Sequence, residues 1–239
     1  MFVDFDGVLS PIVADFDRAE PLPGTPERLR RLAGRFARVA VISGRPVSYL
    51  LRHLSGSGST HLVGLYGMER SAGGSGTVDT VATAVPWRAT LSMVADEAEA
   101  MAPKGVVVER KGLATTIHYR AAPERGAWAV QFAARQATER GVVAHPGKMS
   151  VELRPPIATD KGTVVAELSS GLAAVCFIGD DEGDMPAFAE LSRLRAKGIA
   201  TLAVAVAAEE TPNRLLAAAD LLVDGPAGAV RFLDSLEGR

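Results

Sequence analysis

The sequence predicts an α/β fold built on a parallel sheet, with an α+β module inserted into it. Three observations carry that reading. Short apolar runs alternate with amphipathic stretches, the runs are rich in Val, Ile, Leu and Ala, and the pattern changes in the middle of the chain. Runs of that kind are what strands covered on both faces look like. Strands are expected over 2–5, 38–42, 61–66, 174–178, 201–206 and 220–223. Helices are expected between them, over 25–35, 46–54, 161–168, 185–195, 212–217 and 228–236. Pro26, Pro46 and Pro212 stand near the first turns of three of these, where a missing N–H costs little.

The middle of the chain opens on Ser71-Ala-Gly-Gly-Ser-Gly76, a polar break suited to a hinge or linker. A helix (87–101), two strands (105–109 and 113–119), a second helix (123–140) and two more strands (142–144 and 148–153) follow. Pro155-Pro156 marks the return. The α-β-β-α-β-β order predicts a small antiparallel sheet with two helices on one face. The insert is expected over 77–156, and the outer domain over 1–76 and 157–239.

Composition narrows the function classes. Of 239 residues, 47 % are apolar and 23 % charged, which supports a buried core and excludes a disordered chain. Lys+Arg 26 against Asp+Glu 28 gives a net charge of −2, without the basic field of a nucleic-acid or anionic-membrane binder. The longest apolar run, 199–208, falls short of the roughly 20 residues of a membrane helix. Asp4 and Asp6 stand where a signal peptide would carry its apolar segment. Cys176 is the single cysteine, which excludes an internal disulfide and fits a reducing compartment. A cytoplasmic monomer is expected, with neither nucleic acid nor membrane as partner.

Candidate chemistry sits at strand ends, where parallel α/β sheets bind ligands. The first strand ends in Asp4-Phe5-Asp6-Gly7, and alternation sends Asp4 and Asp6 the same way. Two such carboxylates repel unless a cation intervenes, and a hard divalent ion is the obvious one; a solvated strand end is the plain alternative. Asp15-Phe16-Asp17 repeats the spacing but leads into Arg18-Ala-Glu-Pro21, and reads as a surface loop. A second cluster, Gly179-Asp-Asp-Glu-Gly-Asp184, follows an apolar strand. Carboxylates there are costly without a cation, although Asp184 could simply cap the next helix. Ser43-Gly44-Arg45-Pro46 brings a hydroxyl, N–H groups and a helix start to another strand end. That is an anion site, or an ordinary Ser N-cap. Lys161 opens a helix, where a cation opposes the dipole unless something anionic lies nearby. No Gly-x-x-x-x-Gly-Lys loop, Gly-x-Gly-x-x-Gly fingerprint or His-Glu-x-x-His is present. His53, His61, His118 and His145 are scattered and read as surface or core residues.

Taken together, DFDGVLS, VISGR, DKG and GDDEGD, in that order, resemble the haloacid dehalogenase superfamily of phosphotransferases. The resemblance implies a Rossmann-like core, an inserted cap, a Mg²⁺ ion and an aspartyl-phosphate intermediate. It implies Asp4 as nucleophile, Asp6 as general acid/base, Ser43 holding the phosphoryl group and Lys161 neutralising it. Asp4, the Asp6 carbonyl and Asp180 would bind the metal, with Asp181 and Asp184 supporting it. Within the superfamily, DFDGVLSPIV, VISGR, GLYGMER, GKMSVELRP with KG, and GDDEGDMPAF are similar to the trehalose-6-phosphate phosphatase family nearly end to end. The implied substrate is a small sugar phosphate, trehalose 6-phosphate first and another disaccharide or pseudo-disaccharide phosphate second. A silent sugar-phosphate-binding module is the alternative from another class. Gly44, Arg45, Glu69, Lys148 and Glu152, with Lys111 and Arg120, are the implied substrate-binding residues. Val8, Tyr66, Gly183 and Met185 depart from the family's usual residues.

Overall fold

A computed structural model describes residues 1–13, 18–73 and 75–237. The Asp15-Phe16-Asp17 segment lies outside the described residues. The chain divides into two units, Met1–Asp79 with Thr159–Arg239, and Thr80–Ala158. In chain order the outer unit begins with β1 (Phe2–Val3), α1 (Thr25–Arg35), β2 (Ala40–Ile42), α2 (Val47–His53), β3 (His61–Gly64) and β4 (Glu69–Ser71), and β5 (Asp79–Thr80) falls where the chain passes from one unit to the next. The inserted unit contains α3 (Trp87–Met101), β6 (Val107–Arg110), β7 (Thr115–His118), α4 (Gly126–Arg140), β8 (Val143–Gly147) and β9 (Ser150–Arg154). The outer unit resumes with α5 (Lys161–Leu168), β10 (Ala174–Gly179), α6 (Met185–Ala196), β11 (Ala200–Ala207), α7 (Asn213–Ala218), β12 (Leu221–Asp224) and α8 (Gly225–Leu236).

The main sheet runs β12-β11-β10-β1-β2-β3-β4-β5, parallel from β12 to β3. Alternation along its strands divides the apolar side chains between two cores. Val3, Val41, Ile178, Val204 and Val206 face α1, α2 and α8 through Leu29, Leu32, Leu50 and Leu233. Phe2, Ala40, Ile42, Phe177, Ala203 and Ala205 face α5, α6 and α7 through Val165, Phe188, Leu191 and Leu215. Both faces are covered, which is why these strands read as unbroken apolar runs.

The inserted unit has its own four-stranded sheet, β6-β7-β9-β8, antiparallel throughout. Ile117, Val151 and Leu153 pack on α3 and α4 through Leu91, Val94, Phe132 and Ala133. The opposite face carries Glu109, Thr116, His118 and Glu152, brought together by the pairings Glu109↔Thr116 and Thr116↔Glu152.

Two differences from the sequence reading have physical causes. β4 and β5 extend the sheet on either side of the expected linker, through residues to which the sequence reading gave no strand. β4 pairs antiparallel with β3 near the sheet edge, so Glu69-Arg70-Ser71 needs no apolar run. The expected first strand, 2–5, stops at Val3, because the chain turns sharply from Asp6 to Ser10, with Gly7 N–H donating to the Ser10 carbonyl at 2.8 Å. Among the described residues, no helix is long and apolar enough to cross a membrane.

Phe177 is fully buried and meets Phe188 edge-on, ring centroids 6.1 Å apart. Phe177→Ala is expected to cost about 3–5 kcal/mol in a denaturant-unfolding experiment. A loss under about 1 kcal/mol would contradict this account of the core.

Candidate active site

Register brings the acidic and anion-binding residues to one edge of the main sheet. Val3 is paired with Ile178 and with Val41. Asp4, Ser43 and Asp180 therefore all lie just beyond the carboxyl ends of adjacent strands, where such sheets bind ligands.

Lys161 is the cation of this edge. Its Nζ lies 2.9 Å from Asp4 Oδ2 and donates to Asp184 Oδ1 at 2.6 Å, and all three residues are buried. Lys161 stands at the start of α5, and Asp160 manages the dipole there: it caps the Thr163 N–H at 2.7 Å while Thr163 Oγ1 accepts from the Asp160 N–H at 2.9 Å. Burial opposes the ammonium charge, but Asp184 and Asp4 outweigh it and hold the Lys161 pKa well above the ordinary lysine value.

Asp184 does not cap α6 as the simple alternative would have it. Its Oδ2 accepts the N–H groups of Asp180 and Asp181 at 2.8 and 3.1 Å, and its Oδ1 is taken by Lys161. It therefore ties the acidic loop to the lysine. Asp181 is exposed and caps the short turn Glu182–Asp184, accepting from the Gly183 N–H at 2.8 Å.

Carboxylates outnumber cations at this edge. Ligand atoms of Asp4, Asp180 and Asp184 lie within 4.8 Å of one another, and the buried Asp180 Oδ1 accepts no hydrogen bond from any described residue. Burial, then Asp184 and Asp4, pushes the Asp180 carboxyl up to about 10. Burial also pushes Asp4 well above the usual carboxylate range, only partly offset by Lys161. An oxygen-only donor set with one buried oxygen left over is what a hard divalent cation takes. Both Asp184 oxygens are already engaged, so Asp4 and Asp180 are the available donors. The approach is close: Gly7 has φ +74°, and a Cβ there would collide with the Asp180 carboxylate.

The anion loop also differs from a plain N-cap. Pro46, not Ser43, is the cap residue of α2. Ser43 Oγ instead accepts the Arg45 N–H at 3.1 Å, which leaves its own O–H as a donor. Arg45, expected at the substrate, holds both oxygens of Asp6, through Nε and Nη2 at 2.8 Å each, and lies 4.6 Å from the Tyr49 ring centroid. Glu69, expected near a sugar, accepts the Val47 N–H at 3.0 Å and so caps α2 from β4. Gly44 follows Ser43 at the close approach of the Tyr66 ring.

In the inserted unit, the two acidic residues of the polar sheet face are paired. Glu152 receives Lys111 Nζ at 2.8 Å, Thr116 Oγ1 at 3.1 Å and Arg154 Nε at 2.5 Å. Glu109 lies 3.4 Å from Lys111 Nζ and 2.9 Å from His118 Nε2. Lys111 and Arg154 overcome the push of burial and hold Glu152 down at about 2. Arg120 follows β7 half-buried, and Lys148 is exposed in the β8–β9 turn. Glu109 and Arg154 were not singled out in the sequence and His118 was read as a surface or core residue, although the alternation Glu109–Lys111, Thr116–His118 and Glu152–Arg154 marks one polar face.

A mostly parallel sheet with an inserted α+β unit is also the fold of a haloacid dehalogenase-like hydrolase from Bacteroides thetaiotaomicron, which superposes with a TM-score of 0.65 at 14 % identity, over 98 % of each chain. More narrowly, the profile of the trehalose-phosphatase family matches residues 2–219, and the chain belongs to that family. The trehalose-phosphate phosphatase of Mycolicibacterium paratuberculosis is 34 % identical over 247 residues, covering 99 % of this chain and 61 % of that protein. The chain thus spans about three fifths of the length of the curated relatives it matches. A solved trehalose-6-phosphate phosphatase related protein superposes with a TM-score of 0.82 at 20 % identity, over 99 % of this chain and 96 % of that one. The C-terminal domain of the Candida albicans trehalose-6-phosphate phosphatase gives 0.78 at 23 %, over 99 % and 91 %.

The raised Asp180 carboxyl fixes the sign of a pH effect. The folded, metal-free protein keeps that proton toward pH 10, whereas the unfolded chain releases it near the ordinary value of 3.8. At Asp180 the folded state binds more protons in between, so this group's contribution to stability is full below about pH 4 and is lost as pH rises toward 10. The denaturant midpoint of chelator-treated protein is expected to be lower at pH 8 than at pH 5, with Asp180→Asn flattening the difference. An unchanged slope in that variant would remove Asp180 from the account.

Proposed function

We propose that the chain is a Mg²⁺-dependent phosphatase that hydrolyses trehalose 6-phosphate to trehalose and phosphate, acting as a cytoplasmic monomer. The observation that carries the proposal is the buried Asp4–Lys161–Asp184 cluster with the unpartnered Asp180 Oδ1 beside it. The trehalose-phosphate phosphatase names of its relatives supply the substrate.

Asp4 and Asp180 would hold the Mg²⁺, which when bound lowers the repulsion between an incoming phosphoryl dianion and the Asp4 carboxylate. The Asp4 carboxylate attacks phosphorus in line and displaces the sugar oxygen, forming an aspartyl phosphate. Lys161, the Ser43 hydroxyl and the N–H groups of its loop stabilise the charge that spreads over the transferring oxygens. Asp6 gives its proton to the departing sugar oxygen and recovers one from the water that then hydrolyses the aspartyl phosphate, releasing orthophosphate. Its side chain is 36 % exposed, so it can meet both the sugar oxygen and the water, while Arg45 fixes its orientation. Asp181 and Asp184 act by shaping the loop that carries Asp180. Lys111, Glu152, Arg120 and Lys148 of the inserted unit are assigned to the sugar, for which the Glu152 and Glu109 network supplies paired donors and acceptors.

Asp4→Asn is expected to lower turnover by at least ~10²-fold and toward ~10⁴-fold, the scale of a lost catalytic group. EDTA should abolish phosphate release from trehalose 6-phosphate and excess Mg²⁺ restore it. Full activity of Asp4→Asn, or hydrolysis indifferent to chelation, would overturn the mechanism. Glu152→Ala should harm trehalose 6-phosphate turnover more than that of p-nitrophenyl phosphate, and equal losses would remove it from sugar recognition.

A further inference from the structure

Asp6 is held at both oxygens by Arg45, through Nε and Nη2 at 2.8 Å each. Such a grip orients a carboxylate only where the guanidinium is itself fixed, because arginine carries it on a long stem with many rotamers. The pair is also unlike an ordinary surface ion pair, in which both groups reach into water. Arg45 is buried, whereas the Asp6 side chain is 36 % exposed. The guanidinium therefore approaches Asp6 from inside the fold, and there it packs against Tyr49. Its central carbon lies 4.6 Å from the Tyr49 ring centroid, within reach of the attraction between a cation and an aromatic face.

Tyr49 is buried on α2 and is itself anchored from three directions. Its hydroxyl donates to the carbonyl of Ala19, a buried residue. Its ring meets Phe5 edge-on, centroids 5.7 Å apart, and lies against His53, centroids 4.3 Å apart. Phe5 stands between Asp4 and Asp6 in the chain, and its carbonyl accepts the N–H groups of Leu9 and Ser10 at 2.9 and 3.0 Å. One ring thus touches both the turn that carries the two aspartates and the arginine that orients the second of them. Fixing that arginine before a ligand arrives removes an ordering cost from the reacting complex.

From these contacts we propose that Tyr49 is a positioning residue for proton transfer: its ring face holds the Arg45 guanidinium, and Arg45 holds the Asp6 carboxyl in the orientation that protonation of the leaving oxygen needs. The inference rests on the phosphatase reading above, in which Asp6 is the acid, and adds to it a residue that acts through Arg45. A misdirected acid costs most where the leaving oxygen is most basic, and little where the leaving group departs without a proton. The effect of Tyr49 is therefore read in the leaving-group dependence rather than in the overall rate.

Phenyl phosphate and p-nitrophenyl phosphate carry no sugar and differ in the basicity of the oxygen released. In the Mg²⁺-loaded protein, Tyr49→Leu is expected to lower kcat/KM about tenfold for phenyl phosphate and less than about twofold for p-nitrophenyl phosphate. Tyr49→Phe, which keeps the ring face, is expected to restore the wild-type ratio between the two esters. In an Arg45→Ala background, Tyr49→Leu is expected to change that ratio no further, because the ring acts through the guanidinium. Equal losses on both esters would overturn the assignment and leave Tyr49 a core residue. So would an unchanged ratio, or an additive effect without Arg45. Should Tyr49→Leu fail to fold, a fluorinated phenylalanine at position 49 keeps the shape while weakening the ring face for a cation. It is expected to shift the ratio relative to Tyr49→Phe, and no shift there would overturn the assignment as well. Turnover of neither ester by the wild-type protein would overturn the phosphatase reading and this assignment with it, whereas turnover with equal losses overturns this assignment alone.

Discussion

One buried ammonium facing an excess of buried carboxylates is the constraint on which this edge of the sheet depends. Lys161 reaches Asp4 and Asp184, and no further cation is recorded against Asp180 among the described residues. Unpaired buried charge is among the most expensive features a fold can carry, and removing one partner of a buried pair typically costs several kcal/mol. The surrounding structure is arranged to hold the cluster regardless. Asp160 caps α5 so that its first residue can be a lysine, Asp184 gathers two loop N–H groups, and Gly7 lets the β1 turn approach the Asp180 carboxylate. Stability is given up to keep carboxylates poised, which makes sense if an ion and a phosphoryl group complete the charge balance.

Asp4 and Asp6 show how two identical side chains, two residues apart, come to different environments. Asp4 is buried against Lys161, whereas Asp6 is partly exposed and gripped by Arg45. The difference arises from the turn after Val3, which takes the chain out of the sheet between the two aspartates. Pairs of carboxylates whose surroundings differ in this way are how enzymes divide nucleophilic and acid–base work between like residues. Arg45 suits that division, because a bidentate guanidinium fixes the direction of a carboxylate as well as its position.

Much of this architecture was legible in the sequence, for identifiable reasons. α1, α3 and α5 run over the residues their apolar spacing and flanking breakers indicate. Asp4, Ser43 and Asp180 could be placed at strand ends because parallel strands are continuous apolar runs with abrupt polar exits. What stayed hidden was partnership. That Asp184 binds Lys161 rather than capping α6, that Arg45 turns to Asp6, and that Glu69 caps α2 all follow from strand order. Strand order brings together residues 22 to 39 positions apart. Propensity and spacing are local and do not contain that information. β4 and β5 were missed for a related reason, since an edge strand can be polar and short.

The two polar clusters of the chain solve the same electrostatic problem in opposite ways, and the contrast bears on what each is for. On the inserted sheet, Glu152 and Glu109 are answered by Lys111, Arg154 and His118, and Glu152 is held near 2, fully ionised and satisfied. A self-neutralised network of that kind calls for no ion. It presents fixed donors and acceptors of the sort that recognise a neutral polyhydroxylated ligand, with each removed partner leaving a buried group unpaired. At the ends of β1 and β10 the balance is left open, with Asp180 pushed up to about 10 by burial and by its acidic neighbours. A site left acidic in this way offers its carboxylates to a hard cation. An open charge balance on one unit and a closed one on the other are thus two different kinds of surface, the first suited to charge and the second to hydroxyl groups.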